Sequence, residues 1–532
     1  MLRYLIPHAV TNAAEKYPER QAVCFSQKCL TYSQLETRSN SLARLLIELG
    51  LKRGERVGIY MNKGLESAIA LYGIMKAGGV YVPLDPYAPV GRVGFVMRDC
   101  AIRHLISKDD KLEALRQIYA DGEGPRFLIG VSPQPDLPAE YFPWDDVFTV
   151  ASSALDLKLT EQDLAYILYT SGSTGVPKGI MHTHRSGLSF AEWAAAEYGL
   201  SQDDRLSNHA PLHFDLSTFD FFAGAIAGSA TVIVPEVLTK FPADMSRWME
   251  KERISVWYSV PFALIQLMQH GVLQSRDLSA LRWILFAGEV FPTKHLRALM
   301  GMFPDVRFSN LYGPTETNVC TYYHVPVLPE DMDEPIPIGK ACTNIEDLVL
   351  DLDDRQVPAG DVGELLIRGG VVMKGYWGQP EKTANGFYRR TTSGNYEDIF
   401  YRTGDLVQQD ADGNYRYLGR KDRQIKTRGY RVELDEVEVA LVSHARVQEA
   451  AAYPVPDGQG SNIIEASIIT RQGEKLSEEE LVEHISHRLP PYAIPVRILF
   501  TTDFPRTSTG KINRRELQTQ ALARLEEGNK EQ

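Results

Sequence analysis

The residues best equipped for chemistry crowd into one short segment, YILYTSGSTGVPKGIMHTH, over 166–184. Hydroxyls at Ser171, Ser173 and Thr174, glycines at Gly172, Gly175 and Gly179, and the ammonium of Lys178 follow an apolar run that reads as a buried strand. Glycines let a backbone come close to phosphate oxygens, hydroxyls donate to those oxygens, and a lysine adds a mobile positive charge. The segment is not a P-loop, because that motif has Ser or Thr directly after its lysine and here Gly179 follows Lys178. A flexible Gly/Ser linker is the competing reading. The strand that feeds the loop and the embedded Pro177-Lys178-Gly179 count against it.

Further polar clusters follow in order: NLYGPTETNVC (310–320), GELLIRGGVVMKGYW (363–377), YRTGDLV (401–407), GRKDRQIKTRGYRVEL (419–434) and PRTSTGKINRREL (505–517). Together with the glycine-rich loop they resemble the adenylate-forming superfamily of acyl-CoA synthetases, luciferases and peptide-synthetase adenylation domains. The wording is nearest to the last of these. The resemblance implies ATP-dependent activation of a carboxylate as an acyl-AMP, with release of pyrophosphate. Such chemistry is mostly positioning and electrostatic stabilisation.

Several roles follow from the resemblance. Tyr312 stacks on adenine, Thr315 contacts the α-phosphate and Glu316 binds Mg2+. Asp405 holds the ribose hydroxyls and Arg420 contacts the nucleotide. Thr174 and Lys178 act at the phosphates, and Thr170, Ser171, Gly172, Ser173 and Gly175 shape the loop around them. Gly288, Glu289, Asn310, Leu311 and Gly313 complete the nucleotide site. Lys511 bridges the substrate carboxylate and the α-phosphate, two anions that repel as they approach. Asp422 falls where family members place the hinge on which a small domain rotates between an adenylating and a thioester-forming state. The stretch 426–434 matches the strand lining the pantetheine tunnel, and Lys426, Arg428 and Arg431 add positive charge suited to an acidic carrier.

The segment PLHFDLSTFDFF (211–222) matches the family's substrate-binding helix, with Asp215 where amino-acid-activating members pair a carboxylate with the substrate ammonium. A buried carboxylate without a cation is costly, so the residue makes sense if a cation arrives. The alternative is a helix N-cap. The other pocket positions fall on Leu216, Phe219, Ser259 or its neighbour Tyr258, Leu285, Ala287, Leu311, Val319 and Cys320. His213 falls where the family often has an aromatic or histidine near the substrate carboxylate, which makes it a candidate catalytic residue. This apolar lining resembles that of stand-alone proline-activating enzymes and suits L-proline, with Val, Leu or Ile as alternatives. An acyl- or aryl-CoA ligase of the same fold is the rival enzyme, and Asp215 argues against it. The spacing of His182, His184 and His213, without carboxylates or thiolates nearby, does not suggest zinc.

These groups need a scaffold. Strands such as RVGIYM (56–61), AYILYT (165–170), WYSVP (257–261) and WILFAG (283–288) alternate with helical segments such as ESAIALYGIMKAGG (66–79). That alternation predicts mostly parallel sheets covered by helices. From about residue 335 short strands come at close spacing with Gly and Asp turns, which predicts a β-barrel-like unit up to 421. A smaller α+β domain over 422–532 follows, so the chain reads as an α/β multidomain protein with a core over 1–421 and a mobile C-terminal unit.

The 532 residues are 44% apolar and 24% charged, the composition of a protein with ordinary cores. Fifty-seven Lys+Arg against 69 Asp+Glu give a net charge of -12, which disfavours nucleic acid and anionic membranes as partners. Five cysteines without a C-x-x-C pair predict neither a disulfide framework nor a zinc site and fit a reducing, cytoplasmic setting. No secretory signal or run of 18 apolar residues appears. No serine follows Lys511, so nothing there accepts phosphopantetheine. Delivery of the acyl group to the phosphopantetheine thiol of a separate carrier protein is the expectation.

Overall fold

Two large sheets bring their strand ends to one cleft. The computed structural model describes residues 2–122, 124–172, 175–458, 460–471, 474–506 and 512–530. In the eight-stranded sheet, Val80–Pro83, Arg56–Tyr60, His104–Ser107, Phe127–Ile129 and Glu140–Phe142 run parallel. Leu164–Thr170 joins them in parallel, and Lys178–Thr183 turns back beside it as an antiparallel neighbour. The nine-stranded sheet has the parallel centre Arg307–Tyr312, Trp283–Ala287, Val256–Ser259, Arg205–Asn208 and Ala230–Ile233. These strands are buried along most of their length, as expected for parallel sheets covered on both faces.

The two sheets share one core. Helix Leu65–Lys76 has every residue from Ser67 to Met75 buried, so it lies inside the fold with no solvent-facing stripe. A single apolar cluster takes in Ile59, Tyr81 and Tyr166 from one sheet and Leu206, Tyr258, Leu285 and Leu311 from the other. That continuity makes the cleft between the sheets a rigid setting.

The closely spaced strands after residue 344 form a five-stranded antiparallel sheet of Ile345–Leu350, Val362–Gly369, Phe387–Ser393, Tyr396–Gln409 and Tyr415–Arg420. Beyond it stand the hairpin Gln424–Thr427 with Tyr430–Glu433 and a three-stranded sheet of Val447–Pro456, Asn462–Thr470 and Arg497–Phe500. Helices Leu434–Val442, Glu478–Ser486 and Arg514–Lys530 accompany that sheet. Val437, Leu441, Ile464, Ile468, Leu481 and Ile498 form a separate core there.

One expectation fails here. Cys24 and Cys29 are joined in a disulfide. They stand directly opposite on the hairpin of Gln21–Phe25 and Lys28–Thr31. Ser26 and Gln27 both adopt positive φ, 47° and 70°, closing a two-residue turn that brings the two sulfurs together. The sequence spacing of five hides this proximity, because it arises from strand register. Cys100, Cys320 and Cys342 are free and buried.

Candidate active site

A cavity of about 1070 Å³ opens where the parallel strands end. Thr170 and Ser171 come from the C-terminal end of Leu164–Thr170, Ala287 and Gly288 from that of Trp283–Ala287, and Asn310 to Tyr312 from that of Arg307–Tyr312. Carboxyl ends of parallel strands are where open α/β sheets place their ligands. Two glycines are dictated by this crowding. Gly288 has φ +98°, and a Cβ on Gly313 would lie 1.6 Å from the Asn318 carbonyl oxygen.

Part of the lining sets an acid among mostly apolar side chains. Leu216, Tyr258, Ala287, Leu311 and Val319 stand there together with Asp215. The Asp215 carboxylate accepts from the Thr315 hydroxyl and the Leu216 N–H, and its side chain does not cap the helix that follows. Burial pushes the Asp215 carboxyl above its ordinary value, while Thr315 and the field of Lys426 pull the other way. His213 also lines the cavity, with Nε2 3.8 Å from Asp85, and burial holds its ring below the usual histidine value.

The structure resolves the choice of neighbours in the strand. Tyr258 faces the cavity. The Ser259 side chain points away, and its hydroxyl accepts from the Trp257 indole N–H at 2.8 Å. Phe219, Leu285 and Cys320 do not line the cavity. Phe219 packs edge-on against Tyr258 at 5.3 Å, Leu285 sits beside Tyr258 in the sheet, and Cys320 lies in the cluster with Tyr312. Phe219 and Leu285 shape the pocket from behind, a layer that spacing along the chain cannot distinguish from the wall itself.

Tyr312, Gly313, Thr315, Glu289, Asn310, Asp405 and Arg420 line the polar part of the cavity. The Tyr312 hydroxyl donates to Asp405. Arg420 donates to the other Asp405 oxygen at 2.9 Å and to Asp422 at 2.6 Å. Asn310 donates to the Pro337 carbonyl at 2.9 Å, and Glu289 accepts from Ser461 at 2.6 Å. Tyr417, which sequence reasoning missed, lines the same part, with its ring 6.5 Å from that of Tyr312.

The third part is where the small C-terminal unit meets the glycine-rich loop. Glu316 is fully buried, with Lys178 at 3.2 Å, Arg431 at 2.8 Å and the Tyr376 hydroxyl at 2.9 Å. Burial opposes its ionisation, but Arg431 and Lys178 outweigh that and hold its carboxyl well below the ordinary range. Burial, reinforced by Arg431, depresses Lys178 to about 8. Ser171 donates to the Arg431 carbonyl at 3.0 Å, Glu436 pairs with Arg92 at 2.5 Å and accepts from the Gly172 N–H, and Val439 lies over Gly175. Lys426 lines the cavity, with its pKa lowered by burial.

The reading of Lys426 and Arg431 as surface charge for a carrier is therefore corrected. Strand alternation puts both on the face turned into the site, whereas Arg428, at the hairpin tip, is exposed. The Glu316 carboxylate in this arrangement is met by two cations, Lys178 and Arg431. Ser173, Thr174 and Lys511 lie outside the described residues.

A family model described as AMP-binding enzyme matches residues 10–377, and one described as AMP-binding enzyme C-terminal domain matches 436–511. The chain belongs to the AMP-binding enzyme family. It is 36% identical over 524 residues, 98% of this chain and 100% of the relative, to an L-proline--[L-prolyl-carrier protein] ligase of Pseudomonas fluorescens. A ligase of the same description from Streptomyces coelicolor is 36% identical over 503 residues, covering 92% of this chain and 91% of the relative. The solved structure of the Vibrio cholerae adenylation domain AlmE aligns with TM-score 0.84 at 23% identity, covering 98% of each chain, and supports the fold. No helix among the described residues is long and apolar enough to cross a membrane.

Proposed function

We propose that this AMP-binding enzyme activates L-proline with ATP as prolyl-AMP, releasing pyrophosphate, and then passes the prolyl group to the phosphopantetheine thiol of a separate carrier protein. The observation that carries the reading is Asp215, a carboxylate that lines the cavity together with the apolar Leu216, Leu311 and Val319 and the ring of Tyr258. A compact cationic amine with an aliphatic ring satisfies both features, because the ammonium compensates the acid and the ring meets carbon. The full-length likeness to two ligases of that description supports the same substrate and acceptor.

Each polar group then has a proposed task. Asp215 orients the amine, and Tyr312 and Tyr417 offer ring faces to adenine. Asp405 receives the ribose hydroxyls. Thr315 stands between Asp215 and the expected α-phosphate position. Lys511 supplies the cation of the first step. Mg2+ is expected from the family, yet Glu316 as arranged is already neutralised, so no step is assigned to a metal here. The docking of Arg431 and Glu436 against the glycine-rich loop supports assigning this arrangement to the second step, in which the β- and γ-phosphates are gone and Lys426 lines the cavity. Asp422, between strands Tyr415–Arg420 and Gln424–Thr427, is the proposed hinge.

Amino-acid-dependent pyrophosphate exchange across the twenty amino acids tests the reading. L-proline is expected to give the dominant signal, and no exchange with proline would overturn it. Prolyl thioester formation on an added holo-carrier protein, compared with free coenzyme A, tests the acceptor.

A further inference from the structure

The loop that carries His213 and Asp215 is closed at its base by buried polar groups that touch neither the nucleotide lining nor the amino-acid pocket. It leaves strand Arg205–Asn208 and enters the helical turn Phe219–Ala223. Asn208 and Asp220 stand at its two ends, 0% and 1% exposed. Asn208 Nδ2 donates to Asp220 Oδ2 at 2.9 Å and to the Ala210 carbonyl at 3.2 Å. The Thr231 hydroxyl donates to the Asp220 carbonyl at 2.7 Å and ties that end to the neighbouring strand.

Lys63 reaches in from the other sheet. It sits in the turn between Arg56–Tyr60 and helix Leu65–Lys76, and it is buried. Its Nζ donates to the Asn208 carbonyl at 2.7 Å and the His209 carbonyl at 2.8 Å. Removing an ammonium from water is expensive, and a methionine would fill similar space without that cost. What an apolar side chain cannot do is hold two successive carbonyls and balance a buried carboxylate. Burial lowers Lys63 to about 8 and raises Asp220, and each lies in the other's field.

We propose that Lys63, Asn208 and Asp220 form a clasp that sets the position of Asp215, making Lys63 a positioning residue for recognition of the substrate amine. The inference rests on the reading of Asp215 as the partner of that amine. The clasp joins both sheets at the point where the loop starts and binds the loop's two ends to each other. Displacing a recognition group by about 1 Å can cost up to ~100-fold in rate, so a loop held at its base matters at its tip.

The experiment compares L-proline with cyclopentanecarboxylic acid, its carbocyclic counterpart without the amine, as the ratio of kcat/KM in pyrophosphate exchange. Lys63→Met is expected to lower this ratio roughly tenfold while the KM for ATP changes less than about twofold. Lys63→Arg, which keeps the charge and the donors, is expected to restore most of it. Asp220→Asn is expected to lower the ratio about threefold. If Lys63→Met does not fold, Lys63→Met/Asp220→Asn, which leaves no uncompensated charge, takes its place. A wild-type ratio in the folded variants, or equal loss for ATP and proline, would overturn the clasp. Asp215→Ala run in parallel separates the two readings. If that variant keeps the ratio, the assignment of Asp215 fails. If it loses the ratio and the Lys63 variants do not, the clasp alone fails.

Discussion

The site holds two carboxylates whose circumstances are opposite. Asp215, at the amino-acid end, has a hydroxyl and a backbone N–H as partners, and burial raises its pKa. Glu316, at the phosphate end, has Lys178 and Arg431 in contact, and its pKa is held well down. The first has no cation in contact and feels only the field of Lys426. The second has received one from the small C-terminal unit. A carboxylate with none of the protein's cations in contact marks where a cationic ligand belongs, and a carboxylate that the C-terminal unit helps to neutralise marks where that unit docks.

Four measurements test whether the two ends differ in this way. Asp215→Ala should lower proline-dependent exchange by about 10²–10³-fold with ATP affinity little changed, since the buried ammonium loses its partner. Comparable losses for proline and ATP would remove the distinction between the two ends. Arg431→Ala should leave the Glu316 end less compensated and slow thioester transfer by roughly tenfold or more, while adenylation stays within about twofold. Single-turnover transfer from preformed prolyl-AMP against pyrophosphate exchange reads this directly, and equal effects would mean that docking at Glu316 is not specific to the second step.

The third measurement concerns the pocket wall. Tyr258→Ala should enlarge the amino-acid end and let Leu or Phe compete, narrowing the preference for proline by roughly tenfold, whereas Ser259→Ala should leave it unchanged. The fourth is a stability effect of the unliganded enzyme. A folded-state pKa raised above the unfolded one means that the folded protein binds more protons, so Asp215 subtracts stability as pH rises through its titration range. Asp215→Asn should therefore melt higher than the parent at pH 7–8, by ~1–2 kcal/mol at most, with the difference fading as pH falls toward the ordinary carboxylate range. Thermal melts across pH 5–8 check it, and a lower melting point for the variant at pH 8 would contradict the burial argument.

Much of the site was legible along the chain because its residues sit in short contiguous motifs. Thr170 and Ser171 follow a run of apolar residues, so local pattern placed them at a strand end, while Asn310 to Thr315 were found through the motif they form. Asp215 was found through the resemblance of 211–222 to the family's substrate-binding helix, which is also what separates it from Asp220 in the same aromatic stretch. Where contiguity ended, legibility ended too. Whether Tyr258 or Ser259 faces the cavity depends on the pleat of one strand, and a one-residue shift reverses the answer. Lys426 and Arg431 look like solvent-facing charge in a basic run until the hairpin is set against the cleft. Cys24 and Cys29 are five residues apart, and their pairing is decided by a turn at Ser26 and Gln27.

By itself the sequence determined the alternation of strands and helices, the order of the polar motifs and the chemistry each can perform, because hydrophobic period and side-chain type are local properties. Tertiary structure alone decided which charges meet. Asp215 lies apart from the cations that neutralise Glu316, Lys63 reaches the base of the Asp215 loop from another sheet, and Arg431 faces Glu316 across 115 residues of chain. Electrostatic energy depends on separation and burial in space, and neither is written in the distance along a chain.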